Sequence, residues 1–390
     1  MVNRKMILLM SLICLAGLFC GCDSHATKQK QLHESWKIQS ALERLSEAET
    51  LLESDQLDQA AKIVDDCIKV APENGRANLL MGKILYAKGN MVEAVSFIQT
   101  AVDFDENLHE GWYLLGILKD SDQGLGQAVE LYNKALALDP SNVDYVIAIA
   151  EVYARLGNYD EAISFLRDRS DVISMSKELS IAEADIQLRR GNTKDAIDVY
   201  KSIALFDGFD REVLSALGYC YIIDGQWQQA KVVFEDLLNN CSDNEKQTYL
   251  ELLAVISVNS GQYVKAVSYY DTLSIDRRSD EELWLKMGHA ALGADAPKRA
   301  FACSQRALKI RGNWPDALAL KGSAEYMNND YKSAIKTFSR ICNDKQLSCY
   351  AWLMTGKSLA KLGQHGKSAE AFERAKTIDP DNMLVSYLIK

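Results

Sequence analysis

The sequence predicts an all-α solenoid, a stack of about ten helix-turn-helix hairpins of 34 residues each. Three observations predict it. The residues Trp112, Leu115, Gly116, Ala128, Tyr132, Ala135 and Pro140, seen together in one stretch, return at fixed offsets along the chain. Small residues occupy the eighth place of every unit, and an alanine occupies the twentieth place of all but the last. Glycines followed by Asn or Gln (Gly89, Gly157, Gly191, Gly225, Gly261 and Gly363) stand midway, where a first helix has to end. A period of this length lets one core grow continuously without splitting into separate domains.

Taken in order, residues 1–21 read as an export signal. Arg4 and Lys5 precede an apolar run from Met6 to Phe19, which is shorter than the about 20 residues that span a bilayer. The segment LFCGC at 18–22 resembles the lipobox of bacterial lipoproteins, because Cys22 follows the small Gly21. Phe19 and Cys20 depart from the usual residues there. The resemblance implies that Cys22 becomes an acylated mature N-terminus, anchored on the extracytoplasmic face of a bacterial envelope, inner or outer membrane being open. An uncleaved anchor or an ordinary secretory signal is the alternative. Residues 22–40 then form the lipidated cysteine and a polar tether, its second half turning helical around Leu32 and Trp36.

Repeats fill 41–382, starting at 41, 75, 109, 143, 177, 211, 247, 281, 315 and 349. One step is 36 residues, the extra two falling in a polar turn at 239–246. Places 4, 8 and 11 share a face of the first helix, and places 20, 24 and 27 a face of the second. Small residues at 8 and 20 bring the two backbones together, and a large residue at 24 (Tyr132, Tyr200, Phe234, Tyr270, Phe338, Phe372) fills the space beside them. Arg169 and Ser304 break this pattern, so looser packing is expected around both. Residues 383–390, MLVSYLIK, are apolar and are expected to cap the last repeat, a contact surface being the alternative.

The offsets W-x-x-L-G, Ala, aromatic, Ala and Pro resemble the tetratricopeptide repeat. The resemblance covers nearly the whole chain after residue 40 and implies a right-handed superhelix. Its concave wall would be built from places 2, 5, 9, 12 and 13 of the first helices. Those places hold Tyr86, Tyr113, Ile117, Tyr219, Glu251, Val255, His289 and Tyr326, with Met327, Asp120, Glu151 and Asp185 among them. Aromatic and aliphatic side chains in such a groove suit capture of an extended or helical peptide segment. The plain alternative is packing against the next repeat. Glu151 with Arg155, and Asp185 with Arg189, are four apart and are expected to form local ion pairs. The Lys and Asn clamp of chaperone-tail binders in this family is not assembled, since Lys83 and Lys357 lie in distant repeats.

Charge and motifs narrow the function. The chain carries 44 basic and 54 acidic residues, net −10, which disfavours general nucleic-acid binding. Residues 23–280 hold 25 basic and 43 acidic residues, whereas 281–390 hold 17 and 11, so head-to-tail self-association is a further expectation. The five histidines are scattered, and no metal-ligand spacing, cofactor fingerprint or hydrolase motif is present. Six cysteines follow Cys22; of these, Cys342 and Cys349 are the pair near enough to suggest a bridge, free thiols being the alternative. The expected function is a non-enzymatic, lipid-anchored scaffold holding other envelope proteins in its groove. The alternative is a substrate-recruiting subunit of an envelope glycan or peptidoglycan enzyme.

Overall fold

The computed structural model describes residues 28–121, 124–170 and 176–380, and among these every regular element is a helix. The expectations for the export signal at 1–21, for Cys22 and for the segment 383–390 lie outside the described residues. The chain divides into two compact units, Met1–Arg190 and Gly191–Lys390.

In the first unit a leading helix α1 (28–43) is followed by α2 (Leu45–Glu53) and α3 (Leu57–Val70), then α4 (Gly75–Ala87) with α5 (Met91–Phe104). Next come α6 (His109–Ser121) with α7 (Leu125–Leu138), α8 (Val143–Arg155) with α9 (Tyr159–Ser170), and α10 (Lys177–Arg190). The second unit opens with α11 (Thr193–Asp207). Its hairpins are α12 (Arg211–Ile223) with α13 (Trp227–Asn239), α14 (Asp243–Asn259) with α15 (Tyr263–Asp276), and α16 (Glu281–Gly293) with α17 (Pro297–Ile310). They continue with α18 (Pro315–Met327) and α19 (Tyr331–Phe338), then α20 (Ser348–Lys361) and α21 (His365–Ile378). Within each unit successive helices pack in chain order, the antiparallel arrangement that short connections impose. Leu32 and Trp36 on α1 stay 63% and 66% exposed, so that helix leaves its apolar side chains in solvent.

The eighth and twenty-fourth places meet as their sizes require. A methyl group added at Gly218 would lie 2.7 Å from the Phe234 ring, and one at Gly322 2.7 Å from Phe338. Gly116 faces Tyr132 and Gly356 faces Phe372 in the same way. These rings are buried, and the alanines of the twentieth place are fully buried wherever they occur. The looseness expected at Ser304 is not found. Ser304 is fully buried and donates to the Phe301 carbonyl at 2.7 Å, while Leu320, from the following repeat, fills the space over Gly288. At the other departure, Arg169 lies over the Phe165 ring at 5.4 Å, and the turn beyond it, 171–175, lies outside the described residues.

Three further features were not expected. The turns without glycine use Asp55, Asp295 and Asn329 in the left-handed region (φ 58°, 53° and 61°), where Asn and Asp are the tolerated substitutes. The extra residues before α14 form helix, not loop: the Glu245 carboxylate accepts from the Ser242 backbone N–H at 3.2 Å, closing a capping box that starts α14 early. A cation also covers each tryptophan of the fourth place. Lys134 sits 4.1 Å from the Trp112 ring, and Arg306 and Arg374 sit 4.5 Å from Trp284 and Trp352, each from the twenty-sixth place of the same repeat.

The six described cysteines are free thiols, so Cys342 and Cys349 are not bridged. Cys342 falls in the irregular stretch after the short α19 and is buried there beside Ile341, and the Cys349 thiol points to the Ala375 carbonyl at 3.6 Å.

Candidate protein-binding face

The candidate residues sit on first helices, three in the first unit and five in the second. In the first unit, α4 carries Tyr86 and α6 carries Tyr113 and Ile117. Tyr86 is 37% exposed. Tyr113 is half-buried, its ring 4.7 Å from Tyr145 and 5.5 Å from Tyr132, and Ile117 packs against the same buried cluster. Tyr113 is therefore as much a packing residue as a surface one. His109 Nδ1 lies 2.7 Å from the Tyr145 hydroxyl and fixes the far side of this aromatic group.

Two tyrosine hydroxyls behind these side chains are strongly perturbed. Burial pushes the Tyr132 hydroxyl far above its ordinary pKa, and Asp120, Tyr113 and Tyr86 add to the effect while Arg155 opposes it. Burial, then Glu110 and Asp139, push Tyr145 up to about 12. Both phenols are neutral donors at physiological pH.

The charges on these first helices are not paired as sequence spacing suggests. Arg155 reaches back to Asp120 of the preceding repeat instead of turning to Glu151 on its own helix. Glu151 receives Arg189 from the following repeat at 2.5 Å. Arg76 holds Glu49 at 2.7 Å and Lys83 holds Glu110, again between neighbouring first helices. Stacking brings residues 27 to 38 apart in sequence face to face, and such pairs span a repeat interface where a local pair cannot.

In the second unit, Tyr219 on α12 is 45% exposed and meets Phe234 edge-on at 5.4 Å, and Val255 on α14 is 38% exposed. His289 on α16 retains an accessible edge, yet crowding by surrounding atoms holds its imidazole below the ordinary value against the pull of Asp316. Tyr326 on α18 is half-buried and lies edge-on to Tyr331 at 5.5 Å. Glu251 is committed: it accepts from Lys286 and from Arg277 at 2.9 Å each, which keeps its carboxyl below the usual range. Arg277 in turn holds Asp280, the N-cap of α16, at 2.5 Å, so Glu251 braces the start of the next helix.

Two exposed residues of the same wall were passed over in the sequence. Ile223, at place 13, is 65% exposed, and Tyr350, at place 2, is 38% exposed and lies 2.7 Å from the Ser323 hydroxyl. Their places alone would have found them. Among the described residues no three metal-ligating side chains come together, and no helix is long and apolar enough to cross a membrane.

Known proteins of this architecture share the pattern. The tetratricopeptide-repeat family matches residues 51–118 and 125–171, and a second model of that repeat matches 350–382. The BBSome complex member BBS4 of Bos taurus is 24% identical over 262 residues, 66% of this chain and 49% of that protein. A TPR repeat-containing protein of Methanocaldococcus jannaschii is 22% identical over 280 residues, 67% of this chain and 49% of its own length. The chain thus spans about half the length of these curated relatives. Among solved structures, a tetratricopeptide repeat protein from Parabacteroides merdae is 15% identical, with a TM-score of 0.45 over 73% of this chain and 99% of that one. The family-model matches, with the small-residue places and the ring-on-glycine contacts, show that the chain carries tetratricopeptide repeats.

Proposed function

We propose that this protein is a non-enzymatic scaffold that holds other proteins through the wall formed by its first helices. Tetratricopeptide-repeat proteins serve as scaffolds or adaptors in complexes. The observation that carries the reading is the set of aromatic and aliphatic side chains left exposed on first helices, Tyr86 in the first unit and Tyr219, Ile223 and Val255 in the second, while the acids on the first helices of each unit are held by ion pairs, Asp120 and Glu151 in the first and Glu251 in the second. Such a wall favours an apolar or amphipathic segment, extended or helical, over a charged one. Membership of a complex, which the bovine relative's name records for that protein, supports the same class of role.

The lipid anchor belongs to this proposal. Acylation at Cys22 would tether the repeats to the extracytoplasmic face of an envelope membrane and place captured segments beside it. Photo-crosslinking amino acids at positions 219 and 255, on first helices, and at 232 and 264, exposed on second helices, test the binding face in intact cells. Discrete adducts from the first pair alone are expected, and adducts of equal yield from both pairs would overturn the groove. Labelled palmitate incorporated by the natural chain and lost in Cys22→Ala tests the anchor separately. Adducts to a glycan-processing enzyme would favour the recruiting-subunit alternative.

A further inference from the structure

The last repeats hold a surplus of basic side chains that the fold does not use. Helix α17 carries Lys298, Arg299, Arg306 and Lys309 and no acidic residue. Helix α19, in the next repeat, adds Lys332 and Lys336. Arg299 is taken by Asp271 and Arg306 lies over Trp284, but Lys298, Lys309, Lys332 and Lys336 are exposed and have no carboxylate partner among the described residues. Neither helix contains an acidic residue, whereas every earlier second helix described does, as where Lys69 binds Asp65 at 2.5 Å and Lys201 lies 3.9 Å from Asp198. Four exposed ammonium groups on successive second helices, with Asp330 beside Lys332 as a nearby acid, make a basic local field that the sequence-wide acidity conceals.

We propose that the outer face of α17 and α19 binds an anionic phospholipid surface, as a second membrane contact in addition to the N-terminal anchor. The inference rests on the reading of residues 1–22 as that anchor. Three observations favour a bilayer over other polyanions. The four lysines are exposed point charges spread over two helices, which suits a mobile field of headgroups better than a shaped ligand. Ile310, between Lys309 and Arg311, is 41% exposed and offers an apolar side chain at the edge of the patch. The patch lies on second helices, so a membrane there leaves the first-helix wall of the same repeats accessible to protein. A long nucleic acid would also meet the strongly acidic residues 23–280. A second copy offering that acidic segment is the competing protein occupant.

The test uses the full chain carrying Cys22→Ala and co-sedimentation with phosphatidylcholine vesicles, with and without phosphatidylglycerol. Binding that requires phosphatidylglycerol and falls at high salt is expected. With each lysine near the surface contributing about a fivefold gain in partition, joint replacement of Lys298, Lys309, Lys332 and Lys336 by Gln should weaken binding about a hundredfold or more. Replacing Lys62, Lys194 and Lys246, exposed lysines of the acidic repeats, should leave it unchanged. Thermal melts of both variants verify that the fold is intact. Equal binding to neutral vesicles, or an unaffected quadruple variant, would overturn the proposal. So would a salt-sensitive dimer in light scattering that the quadruple variant abolishes, since the occupant would then be a second copy. Because Cys22 is absent throughout, failure of the anchor shows only in palmitate labelling of the natural chain.

Discussion

Leu320 is expected to do for the α16–α17 hairpin what a buried ring does in its neighbours, and its removal should be correspondingly costly. It is 1% exposed and sits over Gly288, with Cys303 at 3% and Trp284 at 6% in the same cluster. Leu320→Ala deletes three buried carbons, about 2.4 kcal/mol at about 0.8 kcal/mol each, and the cavity left between two well-packed helices raises this toward about 5 kcal/mol. Ser304→Phe alone forces a ring into occupied space and should cost about 1–3 kcal/mol. Combined, the two changes restore the arrangement that Phe338 makes over Gly322, so the double variant should be more stable than the sum by at least about 1 kcal/mol. Because a repeat array does not unfold in one step, hydrogen exchange of peptides from α16 to α18 is the appropriate readout, with urea unfolding as a check. A loss below about 1 kcal/mol for Leu320→Ala, or strict additivity in the cycle, would refute this account of why repeat 8 tolerates a serine.

Other expectations follow from the same geometry. Burial, with Glu251 nearby, pushes Tyr270 up to about 12 from an ordinary value of 10.0, so between those values the folded chain keeps the phenol neutral while the unfolded chain ionises it. The resulting stability is complete below pH 10.0 and is lost as pH rises through about 12, and Tyr270→Phe should flatten the alkaline unfolding curve over that interval. Burial likewise pushes the Cys303 thiol up to about 11, so alkylation at neutral pH should label half-buried Cys241 well before Cys303, and similar rates would contradict the packing of α17. A double-mutant cycle on Arg189 and Glu151 should give a coupling of about 0.2–1 kcal/mol that fades with salt, while the same cycle on Arg155 and Glu151 should give none. Arg306→Ala should cost about 0.5–1 kcal/mol and shift Trp284 emission.

What was legible in the residues and what was not have separate physical causes. The hairpin pattern was legible because places 8, 20 and 24 act within one repeat, where spacing along the chain fixes who meets whom. Gly116 against Tyr132 is such a case. Leu320 was hidden because it acts on the repeat before its own, and the partner of Arg155 was misplaced for the same reason: a four-residue spacing competes with a stacked neighbour that a single helix does not reveal, as the reach of Arg189 to Glu151 also shows. The early start of α14 was written in Ser242 and Glu245, a capping box overlooked because the surrounding residues are polar. On the first helices, place numbers picked out the candidates, but whether a side chain is exposed depends on three-dimensional company. Tyr219 keeps nearly half its surface exposed, whereas Tyr113, at an equally suitable place, is half-covered by Tyr145.

The ion pairs that bridge first helices between residues 49 and 189 also set terms for any ligand that arrives there. Glu49, Glu110, Asp120 and Glu151 each already have a cation from an adjoining repeat. A lysine-rich peptide would have to evict Arg76, Lys83, Arg155 or Arg189 before gaining a carboxylate, an exchange of one ion pair for another with little net return. A ligand of the proposed face would thus be selected here by shape and hydrophobicity, and its affinity should change little between low and high ionic strength, even though the protein as a whole is acidic.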